Sequence, residues 1–233
     1  HPFRPLQDQI INSILNSKDT LALMPTGGGK ASWFQVPAMI NEGICLVVIP
    51  LIALLKDQVA NLKKKGISAL SIYSGMSFIE VKKTLQNAAY GNFKFLYVSP
   101  ERLETKLFLE YLPVLKLNLI AVDESHCISQ WGYDFRPAYL RIAAIREYFP
   151  KVPVLALTAS ATLEVQKDIC EKLQFKKGYL SFQQSFERPN LSYSVFELSI
   201  KQNKLLTILN KVPGCGIVYC KTRKKTKEIS EKL

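Results

Sequence analysis

The sequence predicts a three-layer α/β fold, a parallel sheet with helices packed on both faces. Two observations predict it. Short, β-rich apolar runs alternate with segments of helical period along most of the chain. Those runs are continuous hydrophobic stretches and not in/out alternations, and strands covered on both faces read this way. Repeated strand–helix units then imply right-handed crossovers and a parallel sheet.

The first helical pattern covers 4–16, where Ile10, Ile11 and Ile14 recur between polar residues. The run 20–24 (TLALM) is a short apolar strand, and a glycine-rich loop separates it from a helix over 30–41. The run 44–49 (ICLVVI) is rich in β-branched residues, as strands are. The helix 51–65 mixes Asp57, Lys63, Lys64 and Lys65 with apolar positions, as a surface helix does. Strand 69–72 (ALSI) and helix 77–89 form the next unit, and strand 94–98 (KFLYV) opens another. Strand 117–122 (LNLIAV), helix 137–148, strand 153–157 (PVLAL) and helix 162–173 continue the series. Near 176–190 the pattern changes, with turn signals and a proline in KKGYLSF and SFERPNLSYSVF. A helix over 198–211, a turn at Pro213-Gly214, a strand over 215–219 and a basic helix start then begin one more unit. The expected organisation is one domain over 1–187 and the beginning of a second over 188–233.

Composition bounds the function. With 233 residues, 48% of them hydrophobic, and 12 Phe, 10 Tyr and 2 Trp, the chain can bury a core and is not disordered. The longest apolar runs, such as 44–50, fall far short of a membrane span. The polar start HPFRPLQDQ does not read as a signal peptide, and a start at His1 reads as a fragment. Five cysteines (45, 127, 170, 215, 220) without CxxC spacing suit a reducing, intracellular setting, with Cys45 and Cys170 as buried core residues. The two histidines, His1 and His126, cannot build a metal cluster with them, so no zinc is expected. The formal charge of +12 points to a polyanionic partner. Residues 197–233 hold nine basic and three acidic residues, which also suits a solvated helix face.

Two motifs carry chemistry. Strand 20–24 runs into Pro25-Thr26-Gly27-Gly28-Gly29-Lys30 and then a helix. Glycines there let backbone N–H groups turn inward around phosphate oxygens, the helix N-terminus adds positive potential, and Lys30 reaches the β- and γ-phosphates. The pattern asks for a hydroxyl after the lysine to meet Mg²⁺, but the residue is Ala31, and Ser32 lies about 100° further round the helix. The second motif is Asp123-Glu124-Ser125-His126, at the end of strand 117–122. Downstream of a phosphate loop, the first carboxylate holds Mg²⁺ through water and the second orients and deprotonates the attacking water. His126 suits contact with the γ-phosphate or with a neighbouring motif. Beyond it, Trp131, Tyr133, Phe135, Arg136 and Tyr139 fall close together. Aromatic and arginine side chains so placed can stack bases and pair phosphates, or can pack the loop onto the core.

Together these motifs resemble the RecQ family of superfamily 2 DNA helicases over nearly the whole chain. Phe3–Gln7 (FRPLQ) is similar to the family's adenine-recognition motif, Met24–Lys30 to motif I, Pro50–Gln58 to motif Ia and Tyr97–Arg102 to motif Ib. Asp123–Tyr139 resembles motif II with the family's aromatic-rich loop. Leu157–Thr162 is similar to motif III, Phe186–Leu191 to the crossing into the second RecA-like domain, and Ile217–Cys220 to motif IV. The resemblance implies a P-loop NTPase with a RecA-like domain followed by the start of another, which uses ATP and Mg²⁺ to translocate 3′→5′ on single-stranded DNA and open partly duplex DNA in repair and recombination. It implies adenine contact by Arg4 and Gln7, phosphate binding by Thr26, Gly27, Gly28, Gly29 and Lys30, metal binding by Asp123 and water activation by Glu124. It further implies coupling and DNA sensing by His126, Gln130, Trp131, Phe135, Arg136, Thr158 and Thr162, with Lys56 and Ser99 near the DNA backbone. Such a protein belongs in the cytoplasm of a bacterium or a nucleus.

The departures are Ala31 for the family's Ser, altered residues at 32 and 33, Tyr133, Ala138 and Ser125. Motifs V and VI do not follow within 233 residues, so this stretch alone is expected not to unwind DNA. Two other readings stay open: an RNA helicase of the DEAD-box kind, and a nucleotide- or DNA-binding scaffold whose hydrolysis Ala31 impairs.

Overall fold

The computed structural model describes residues 6–25, 30–132, 134–185, 190–198 and 200–232. The chain divides into two compact units, His1–Phe186 and Glu187–Leu233.

The first unit is built on seven strands: β1 (Thr20–Leu23), β2 (Ile44–Val48), β3 (Ala69–Ile72), β4 (Phe95–Val98), β5 (Leu117–Val122), β6 (Val154–Thr158) and β7 (Leu180–Gln183). They form one sheet in the order β3-β4-β2-β5-β6-β1-β7, with every pairing parallel. The continuous apolar runs have the expected consequence: β1, β2, β4 and β6 are buried at every residue. Alternate side chains feed two cores. Leu21, Leu23, Leu46, Val48, Leu96 and Val98 face one side, with α4 (Phe78–Tyr90), α5 (Lys106–Tyr111), α6 (Arg141–Tyr148) and α7 (Leu163–Lys172) over them. Ala22, Cys45, Val47, Phe95 and Tyr97 face the other, beneath α1 (Gln7–Leu15), α2 (Lys30–Ile40) and α3 (Ile52–Lys64). The α/β layering read from the sequence is therefore present, and Cys45 and Cys170 are buried as expected.

Local chemistry explains the element ends. Ser77 and Glu80 form a capping box at the start of α4, with Ser77 N–H donating to Glu80 Oε2 at 2.8 Å. Thr162 caps α7 by accepting from Val165 N–H at 3.3 Å. The expected helix 137–148 is a 3-10 turn, Pro137–Leu140, running into α6. Strand β7 lies inside the stretch where turn signals mark a change of pattern: it pairs with β1 at the sheet edge, and its largely exposed residues lack the apolar run that marks the others.

The second unit contains α8 (Lys201–Lys211) and α9 (Arg223–Ser230), neither with a buried residue. The strand expected over 215–219 is not formed. Ile217 and Tyr219 are exposed, and no neighbouring strand is present among the described residues of this unit to accept its backbone bonds.

Candidate active site

The strand order places β6 between β1 and β5, so the segments leaving these three strands meet at one end of the sheet. Lys30 heads α2 after β1, Asp123-Glu124 follow β5, and Thr158 ends β6. Ligands of open parallel sheets bind at such carboxyl ends.

Asp123 is only 8% exposed. Its N–H donates to Val48 O at 3.0 Å, and its Oδ1 accepts from Glu124 N–H at 3.0 Å. Burial, and then the neighbouring Glu124 charge, push its carboxyl up to about 6, while the Glu124 N–H and the Lys30 charge hold it down. Glu124 has a left-handed backbone, φ 47°. A non-glycine residue held there stores strain, which concentrates at functional positions. Its Oε2 lies 3.4 Å from His126 Nδ1, and the same Nδ1 lies 2.9 Å from Thr158 Oγ1. Thr158 Oγ1 in turn accepts from Ser160 N–H at 3.1 Å. His126 thus joins the carboxylate segment after β5 to the end of β6.

The residues beyond His126 fold back on it. Gly132 is required: a Cβ there would lie 2.7 Å from His126 O. Arg136 N–H donates to Cys127 O at 2.8 Å. Tyr139 is buried, and its hydroxyl donates to Asp123 O at 2.9 Å, with burial pushing the phenol far above its ordinary value. Tyr139 thus supports the backbone at Asp123, a role that the aromatic spacing alone did not single out. The Arg136 guanidinium reaches Asp134 and Pro50 O, and the pairing holds the Asp134 carboxyl below the usual carboxylate range. Trp131 is 70% exposed, Gln130 is exposed and Phe135 is half-buried. The loop therefore offers aromatic surface to solvent at Trp131 and packs inward at Tyr139.

Other expected residues fall elsewhere. Lys56 is exposed, with its ammonium 4.5 Å from the centre of the Tyr73 ring. Ser99 is fully buried, and in the 3-10 turn Pro100–Arg102 that follows it Glu101 is exposed and Arg102 half-buried. Gln7 Nε2 donates to Ser32 Oγ at 2.8 Å, so Ser32 is turned toward α1. Ala31 packs against the core beneath α1–α3. Arg4, Thr26, Gly27, Gly28 and Gly29 lie outside the described residues.

No cluster of three or more potential metal ligands exists among the described residues. A nucleotide-bound Mg²⁺ needs only one or two protein carboxylates, the remaining ligands being water and phosphate oxygens. Asp123 fits that demand: it is a buried carboxylate beside a second one, raised first by burial and then by the Glu124 charge.

The sequence model described as DEAD/DEAH box helicase matches residues 4–169. Among curated relatives, ATP-dependent DNA helicase Q-like 4B of Arabidopsis thaliana is 41% identical over 246 residues, covering 100% of this chain and 21% of that protein. ATP-dependent DNA helicase RecQ of Haemophilus influenzae is 40% identical over 233 residues, covering 99% of this chain and 37% of that protein. The chain thus spans well under half the length of these two relatives, and the resemblance drawn from its motifs is borne out by them. The solved structure of the DEAD-box helicase Mss116 bound to ssRNA superimposes with a TM-score of 0.64 at 21% identity, over 78% of this chain and 40% of that one. That likeness shows a shared RecA-like helicase fold.

Proposed function

The chain belongs to the DEAD/DEAH box helicase family, and from that premise we propose that it is the first motor domain, with the start of the second, of an ATP-dependent 3′→5′ DNA helicase of the RecQ kind. We put the domain boundary at 187/188, one residue beyond the division between the two compact units. The observation that carries the reading is the meeting of Lys30, Asp123, Glu124, His126 and Thr158 at the ends of three adjacent strands.

ATP is the substrate. Arg4 and Gln7 receive its adenine, and Thr26–Lys30 cradle its phosphates. Asp123 would hold Mg²⁺, which would neutralise phosphate charge. Glu124 accepts a proton from the attacking water, and its carboxylate lies 3.4 Å from His126 Nδ1. His126 transmits the state of this pair to Thr158 through the 2.9 Å hydrogen bond. Gln130, Trp131, Phe135 and Arg136 report on single-stranded DNA. Lys56 and the Glu101–Arg102 turn border its path, and Thr162 shapes the start of α7 beside it. The excess of positive charge suits a phosphate backbone. Buried free thiols at Cys45, Cys127 and Cys170 suit a reducing compartment, and no helix among the described residues is long and apolar enough to cross a membrane.

A second reading, a nucleotide- or DNA-binding scaffold with impaired hydrolysis, draws on Ala31 and on the bond that commits the Ser32 hydroxyl to Gln7. Strand separation discriminates between the two. The full-length protein with ATP is expected to open a duplex bearing a 3′ single-stranded DNA tail, and not one bearing only a 5′ tail. Binding of the tailed duplex without opening it would favour the scaffold, and preferential opening of an RNA duplex would move the protein to the RNA-directed class. Residues 1–233 alone are expected to open neither.

A further inference from the structure

Arg136 is the only Lys or Arg between His126 and Tyr139, and its guanidinium is already engaged on every side. Nε and Nη2 both donate to Asp134 Oδ2, at 3.0 and 2.8 Å, and Nη1 donates to Pro50 O at 3.3 Å. Asp134 Oδ2 also faces the Cys127 thiol at 3.8 Å. Yet the pair is not a buried structural clamp: Asp134 is 53% and Arg136 30% exposed. A carboxylate on the fork of a guanidinium occupies the place a phosphate would take, because both anions engage the same N–H edge. An ion pair this exposed is weak enough to exchange for another anion.

We propose that Asp134 is a positioning residue that acts as an internal phosphate substitute, holding Arg136 against Pro50 O until a backbone phosphate of single-stranded DNA displaces it. The inference rests on the reading of Arg136 as a DNA-sensing residue. Its structural consequences follow from the bonds on either side of the loop. Release of Arg136 frees the Pro50 carbonyl at the entry to α3. It also disturbs the turn in which Tyr139 N–H donates to Arg136 O at 2.9 Å, and Tyr139 is the residue whose hydroxyl supports Asp123 O. Asp134 therefore keeps the site in its DNA-free arrangement and sets how much of the ATP turnover depends on DNA.

The test uses full-length protein, a fluorescently labelled oligo(dT) strand and four proteins: wild type, Asp134→Asn, Arg136→Gln and the double variant. Asp134→Asn should tighten oligo(dT) binding by roughly three- to tenfold at low salt, with the gain shrinking as salt screens the pair. It should also raise ATP turnover without DNA toward the DNA-saturated rate. Arg136→Gln should weaken binding, and in that background Asp134→Asn should change affinity by less than about twofold, since the cycle isolates the pair. Asp134→Ala should reproduce Asp134→Asn. Equal tightening in both backgrounds would reduce Asp134 to plain charge repulsion and overturn the proposal. Unchanged or weaker binding by both Asp134 variants would overturn it as well, while leaving the DNA-sensing role of Arg136 intact. If Arg136→Gln binds oligo(dT) as the wild type does, the underlying role of Arg136 fails and the proposal falls with it.

Discussion

Ser125 sits between Glu124 and His126 with its hydroxyl fully buried and no hydrogen-bond partner among the described residues. An unpaired buried hydroxyl is costly, so Ser125→Ala is expected to stabilise the protein by about 0.5–2 kcal/mol, read as a higher denaturant midpoint. A lower midpoint would mean that the hydroxyl is bonded after all. The raised Asp123 carboxyl makes a second prediction at this scale. Its folded value is about 6 against an ordinary 3.8. The folded state therefore binds this proton more tightly than the unfolded one, and ionisation works against the fold. That stabilising contribution is full below pH 3.8 and is lost as pH rises through about 6. Asp123→Asn is accordingly expected to stabilise the nucleotide-free protein by about 1–3 kcal/mol at pH 8 and by almost nothing at pH 4, while abolishing turnover. Equal effects at both pH values would contradict the assignment. The carboxylate pair and Lys30 were legible because short motifs follow apolar strands. Tyr139 and Asp134 were not, since their roles depend on how the loop folds back. Ala31 was legible as a gap, whereas the engagement of Ser32 by Gln7 required the packing of α1 on α2.

Strands were legible to within one residue at most ends, because continuous apolar runs in a doubly covered sheet have sharp polar edges. Strand β7 escaped because an edge strand needs fewer apolar residues, and 215–219 was read as a strand because its composition suits one while its partners are missing from the described part of the unit. The tie that fixes β7 was equally hidden. Asp19, in the turn before β1, accepts from Arg146 Nη2 at 2.5 Å, from Val154 N–H at 2.9 Å and from Lys176 N–H at 2.7 Å. One buried carboxylate thus joins β1, α6, β6 and the approach to β7. Asp19→Asn leaves the Arg146 charge buried without a counter-ion and is expected to cost about 3–5 kcal/mol, measured by chemical denaturation. A loss under about 1 kcal/mol would show that the cluster is relaxed by solvent.

At the scale of the whole molecule, the two units differ in how much they bury. Strands β1, β2, β4 and β6 of the first unit are buried at every residue, whereas α8 and α9 bury no residue and the segment around Ile217 and Tyr219 is exposed. Hydrogen exchange of the 233-residue chain is expected to protect amides of β2, β5 and β6 strongly and those of 215–220 hardly at all. Strong protection of 215–220 would mean that the second unit closes by itself. The positive charge acts at this scale too: affinity for single-stranded DNA should fall steeply and linearly with the logarithm of salt concentration. As proposed, a carboxylate pair at the end of β5 hydrolyses ATP under the control of DNA. The most direct test is steady-state ATP turnover by the full-length protein, with and without single-stranded DNA, as wild type, Glu124→Gln and Ala31→Ser. DNA-stimulated turnover is expected, which Glu124→Gln reduces at least about 100-fold without loss of nucleotide binding and Ala31→Ser increases. Turnover that ignores DNA, or that survives Glu124→Gln, would contradict it.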